Sequence, residues 1–97
     1  VSGGRKPGRY HAGPVAQRVA ENLRYLRTAH GWTQVKVLHL LRHDYGYELD
    51  SNAVYRFEVG TRRLSPDDLI VFAELYGVSV DKLLTMSASE AVKDVMA

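Results

Sequence analysis

Asn52, Tyr55, Arg56 and Val59 stand at i, i+3, i+4 and i+7, one stripe along a helix, while Ala53, Val54 and Phe57 share the other side. An asparagine amide carries a donor beside an acceptor, and a guanidinium carries parallel donors. The stripe therefore holds groups able to pair bidentately with adenine and guanine edges. Two other constellations have suitable residue types without the rest of a site. His39 and His43 lie four apart, the spacing of two-histidine metal sites, but no third ligand is evident although Asp44 is adjacent. Gly3, Gly4 and Gly8 are not followed by the strand and Lys-Ser pair of a phosphate loop, and no Ser/His/Asp arrangement stands out. The pattern is that of a binding protein, not an enzyme, with no cofactor and no metal.

A stripe of this kind works only if rigid elements hold it. A first helix opens near Pro14, where Val15, Val19, Leu23 and Leu26 line one face, and Gly31 closes it in the left-handed conformation. Thr33 caps a second helix with residues 34–41 as its body, ending around Asp44. Residues 44–49 read as a loop, with Leu49 turned inward as a plug. Asp50 or Ser51 caps a third helix that runs to about Val59 and stops at Gly60. Ser65-Pro66-Asp67-Asp68 supplies a cap, a first-turn proline and dipole-matching acids for a fourth helix, which Leu69, Phe72, Ala73 and Tyr76 carry to Gly77. Ser79 caps a short fifth helix, Val80 to about Thr85. No segment alternates with a period of two, so the predicted fold is all-α.

Length and charge narrow the partner. The 97 residues leave room for one domain and little volume for an enclosed substrate pocket. With no cysteine, neither disulfides nor thiolate-bound zinc can hold the fold. No apolar run would span a bilayer and no secretion signal is visible, so a cytoplasmic protein without a membrane partner is expected. Residues 1–63 carry eleven Lys/Arg against five Asp/Glu, a balance of +6, and residues 64–97 carry two against six, a balance of −4. One face turned toward a polyanion would explain that asymmetry. Residues 1–13, with four glycines, Pro7, Arg5, Lys6 and Arg9, read as a flexible basic arm. It is either a leader or an arm that follows phosphates or enters a minor groove. The domain proper spans 14–86. Residues 87–97 are either a frayed tail or a short dimerisation helix: Ser87 and Glu90 are spaced as a capping box before Ala91, Val92, Val95 and Met96.

Three ordered blocks carry a family resemblance: Val19-x-x-x-Leu23-Arg24-x-Leu26-Arg27-x-x-x-Gly31-x-Thr33-Gln34; Val54-x-x-Phe57-Glu58-x-Gly60; and Leu69-x-x-x-Ala73-x-x-Tyr76-Gly77-Val78-Ser79-Val80-Asp81-x-Leu83-Leu84. Over residues 15–85 the chain resembles the lambda-repressor/Cro-like (XRE) family of helix-turn-helix proteins. That resemblance implies a five-helix domain that binds double-stranded DNA, with the helix at 51–59 in the major groove. It implies base contacts from Ser51, Asn52 and Arg56, to which exposure of the stripe adds Tyr55. It places Gln34 on a phosphate, where the free N–H groups of the second helix's first turn also point. Lys36, Arg62 and Arg63 are further phosphate candidates. Arg27 and Glu58 match a family salt bridge between the first and third helices, a structural role. Such domains usually bind palindromes as homodimers, and Val78, Val80, Leu84 and Met86 are candidates for that contact.

The chain also departs from the family. The link between Leu41 and Ser51 is about six residues longer than the usual tight turn. Either the second helix is longer or the link rises as a flap, beside which Arg42 and His43 either meet DNA or stay solvated. Lys36 stands where an acid is common, and nothing in the sequence accounts for apolar Val59 on the polar stripe. The leading expectation is a transcriptional repressor. The alternative is an antitoxin or antirepressor, a protein-interaction module on the same fold.

Overall fold

The computed structural model describes residues 10–88, and the five expected helices are present, with no strand among the described residues. They are α1 (Pro14–Ala29), α2 (Gln34–Asp44), α3 (Ala53–Val59), α4 (Pro66–Tyr76) and α5 (Val80–Thr85). Helix α1 is the hub and packs on α3, α4 and α5, while α2 packs on α3. Its buried face is Val19, Leu23 and Leu26, the spacing of one helical stripe. Val37, Leu38 and Leu41 of α2, Ala53, Val54 and Phe57 of α3, Phe72, Ala73 and Tyr76 of α4 and Leu83 of α5 meet it in one core. Phe57 and Phe72 cross edge-to-face with centroids 5.2 Å apart, tying α3 to α4.

The caps decide where elements begin. Thr33, Ser65 and Ser79 each accept a backbone N–H from the third helical residue, and Ser65 with Asp68 completes a capping box. Helix α3 differs from the sequence expectation. Neither Asp50 nor Ser51 is its N-cap: the helix starts at Ala53, after a turn, with Asn52 at the cap position and no side-chain cap bond. Asp50 acts one step earlier. Its Oδ1 accepts the Asn52 backbone N–H at 3.0 Å and its carbonyl accepts that of Ala53 at 3.2 Å, an Asx turn that leads into the helix.

The long link is packed down. Leu49 is buried in the core, and Tyr45 and Tyr47 are half-buried against it. The Tyr47 backbone N–H donates to Leu41 O at 3.0 Å and its hydroxyl to Asp68 Oδ1 at 2.6 Å, so α2, link and α4 are stitched together. Arg42 donates to Leu49 O through Nε, at 3.1 Å, and through Nη2, so its guanidinium holds the link in place. The extra length is thus shared between three more residues of α2 and a link fastened to the domain, with no flap standing off it.

Both ends bear on the sequence reading. Residues 10–13, counted on sequence with the arm, are tied to the domain: the Ala12 N–H donates to Gly60 O at 3.1 Å. The basic and glycine positions 3–9, and the candidate sixth helix with Glu90, Ala91, Val92, Val95 and Met96, lie outside the described residues. Val78, Val80 and Leu84, taken on sequence as dimer candidates, are half-buried against the domain's own core.

Candidate nucleic-acid interface

Helix α3 presents two unlike faces. Ala53, Val54 and Phe57 are buried, while Tyr55 and Val59 are 54% and 39% exposed. Ser51 and Asn52 are exposed in the turn that precedes the helix, beside its first residues. Arg56 is half-buried, and its Nη2 donates to both Asp50 oxygens, at 2.9 and 2.7 Å. The guanidinium holds the Asp50 carboxyl below the ordinary carboxylate range through that hydrogen bond, with the Asn52 N–H contributing.

Behind this face a buried polar network fixes α3 against its neighbours. Arg27 on α1 donates from Nε to Glu58 Oε2 at 2.7 Å and from Nη2 to Oε1 at 3.1 Å, and its Nη1 donates to Trp32 O at 3.0 Å. Gln34, first residue of α2, donates from Nε2 to Glu58 Oε1 at 3.1 Å. One carboxylate therefore accepts from α1 and α2 at once. Hydrogen bonding to Glu58 raises the Arg27 pKa further, so the guanidinium keeps its charge beside the buried Glu58. An amide nitrogen carries two hydrogens, and Gln34 commits one of them here; the other is left for an outside acceptor. Thr33 Oγ1 accepts the Lys36 backbone N–H at 3.0 Å, so that donor is occupied, while the Lys36 side chain is exposed.

An open groove of about 560 Å³ runs between α1 and α3, lined by Gln17, Glu21, Arg24 and Tyr25 on one wall and Tyr55 and Val59 on the other. The Arg27, Gln34 and Glu58 network also lines it. This answers the question Val59 posed, since its side chain forms part of the α3 wall. At the end of α3, Gly60 has φ of +82°, and a Cβ there would come within 2.5 Å of Gln17 Oε1 and 3.3 Å of the Ala12 Cβ. Only glycine suits that position. Beyond it the Arg62 guanidinium lies over the Phe57 ring at 5.1 Å and that of Arg63 over the Tyr10 ring at 4.5 Å. These cation–π contacts place both cations over aromatic rings, and Arg63 remains exposed.

The structure brings Ser51, Asn52, Tyr55 and Arg56 together around the start and outer face of α3, and joins Arg27, Gln34 and Glu58 behind them. Sequence reasoning missed Asp50 as a partner of Arg56, because their six-residue separation crosses a non-helical turn and matches no periodic template. It also missed Asn22, whose Nδ2 donates to Leu83 O at 3.0 Å and Met86 O at 2.9 Å. His39 and His43 pack with tilted rings on exposed positions, centroids 4.1 Å apart, and no group of three or more His, Cys, Asp or Glu is placed to hold a metal among the described residues. No helix among those residues is long and apolar enough to cross a membrane.

No protein-family model matches the chain, and no curated protein matches it in sequence. Among solved structures it is similar to the DNA-binding domain of BldD, with a TM-score of 0.58 and 26% identity, over 76% of this chain and 99% of that one. The chain has the all-helical fold of a small helix-turn-helix domain.

Proposed function

We propose that this chain is a sequence-specific regulator of transcription that binds double-stranded DNA, a repressor of the lambda-repressor/Cro-like (XRE) kind. It acts in the cytoplasm as a homodimer on a palindromic operator. The observation that carries the reading is α3, a short helix with a buried apolar back and an outward face of Tyr55, Arg56 and Val59 next to exposed Ser51 and Asn52. The fold shared with the DNA-binding domain of BldD supports it.

In this reading α3 enters the major groove, which is wide enough for one helix. Arg56 offers parallel donors to guanine, and Asn52 a donor and acceptor to adenine. Ser51 and Tyr55 contact neighbouring base edges. Gln34 gives its second amide hydrogen to a phosphate, and Lys36, Arg62 and Arg63 neutralise others. Arg27 and Glu58 touch no DNA; they keep α3 at a fixed angle to α2, so that phosphate and base contacts are made together. The role is recognition, with no bond made or broken.

Selection of bound sequences from random duplex DNA tests this, followed by titration of Arg56→Ala. Enrichment of a motif is expected, and the substitution should cost about 1–3 kcal/mol and relax preference at one position. Equal weakening on every sequence would move Arg56 to the phosphate group. No enrichment would overturn the reading and favour a protein partner.

A further inference from the structure

We propose that Asp50 is a positioning residue for Arg56, holding its guanidinium at the foot of α3 and so setting the preference for one base pair. The proposal rests on the DNA-binding reading above. Both Asp50 oxygens accept from Arg56 Nη2, at 2.9 and 2.7 Å. The carboxylate is itself oriented: Oδ1 also accepts the Asn52 backbone N–H, and the Asp50 carbonyl accepts that of Ala53. The Arg56 backbone N–H in turn donates to Asn52 O at 3.1 Å. Turn, first helical residues and guanidinium thus form one closed ring of bonds. The pair uses Nη2 alone, and the Nε and Nη1 hydrogens have no protein acceptor among the described residues, so these donors are left for an outside acceptor.

The chemistry explains why a carboxylate would stand there. Its charge repels phosphates and the acceptor atoms of bases, so on electrostatic grounds it weakens DNA binding. Its compensating effect is geometric. Arginine is a long side chain with several free torsions, and fixing the guanidinium beforehand removes ordering that binding would otherwise require. An exposed ion pair contributes little to folding, so the effect belongs to specificity. Water leaving the interface strengthens the pair when DNA is bound.

Asp50→Asn separates the roles, because an amide oxygen still accepts the Asn52 N–H and preserves the turn while the ion pair is lost. The full chain and the variant are compared by sequence selection. Both are then titrated on the enriched duplex, and on one carrying 7-deazaguanine at the base pair that Arg56→Ala relaxes. Far-UV circular dichroism follows the fold. The variant should keep its helicity and bind random DNA at least as tightly as the parent. It should lose about fivefold or more of its guanine preference at that single pair, and the 7-deazaguanine penalty with it. A variant with unchanged preference and penalty would overturn the positioning role and leave the DNA-binding reading intact. A parent that enriches nothing would overturn both. If Asp50→Asn loses helicity, Asp50→Ser, whose hydroxyl can cap the same turn, is read by the same outcomes.

Discussion

The Tyr76 hydroxyl lies in the core with no hydrogen-bond partner among the described residues, as does Asn22 Oδ1. Burial pushes the phenol well above its ordinary range, and the nearby Glu58 charge pushes it the same way. Removing an unsatisfied hydroxyl takes away a desolvation penalty and no bond, so Tyr76→Phe should be at least as stable at neutral pH, within about 1 kcal/mol. Its alkaline limb should also be shallower. Above pH about 10 the unfolded tyrosine gives up its proton while the folded one keeps it, so the unfolded state binds fewer protons and stability falls as pH rises. Denaturant midpoints of both proteins at neutral pH and above pH about 10 check both statements. Asn22 shows what a single residue conceals in sequence. Between Val19 and Leu23 it reads as helix surface, yet it is fully buried, because the carbonyls it serves belong to a segment some sixty positions away.

Helix α5 has only six residues and would be marginal alone. Its Ser79 cap was legible, since a serine before an apolar turn is a local signal. Its other end was not: Asn22 satisfies Leu83 O and Met86 O, and Arg18 Nη1 reaches Leu84 O at 3.4 Å. Asn22→Ala should cost about 1–3 kcal/mol by leaving buried carbonyls unpaired. Amide exchange in residues 80–86 should then outpace that of α1, whereas uniform acceleration would mean that α5 does not open separately. Helix α3 is held by a different device. Breaking the network with Arg27→Ala strands the Glu58 charge and should cost roughly 3–5 kcal/mol, while Arg27→Met with Glu58→Leu should recover most of that loss. Chemical denaturation of Arg27→Met, Glu58→Leu and the double variant measures the coupling. The start of α3 was placed wrongly on sequence for a related reason: several capping residue types stand in a row at 50–52, and only the Asx turn made by Asp50 selects among them.

Across the molecule, the basic first two thirds and acidic remainder sort into elements. Lys36, Arg62 and Arg63 flank the start of α2 and the end of α3, while Asp67, Asp68 and Glu74 belong to α4. If the three cations meet phosphates, affinity should fall steeply with salt. Each Ala substitution among them should lower the log–log slope by about 0.9, with the base preference unchanged. Titrations at several salt concentrations check this, and an unchanged slope would make that cation a solvated surface group. The helical pattern and most of each element's core face were legible, because periodicity encodes burial directly, although Val15 is exposed on α1 and Asn52 stands before α3. The packing of the long link was not. Tyr47 reaches Asp68 on α4 and Arg42 reaches Leu49 only once the chain has closed, and no local spacing records such contacts.

Trp32 is the single tryptophan of the chain. It sits in the turn between α1 and α2, with its ring 4.5 Å from His30 and 6.0 Å from Tyr76, and its carbonyl accepts from Arg27. The protein therefore carries a built-in fluorophore one residue from the Thr33 cap, in contact with the His30 ring and with the network that fixes α3. Its emission should shift when that network opens. Label-free spectroscopy can thus follow both unfolding and ligand arrival at the start of α2.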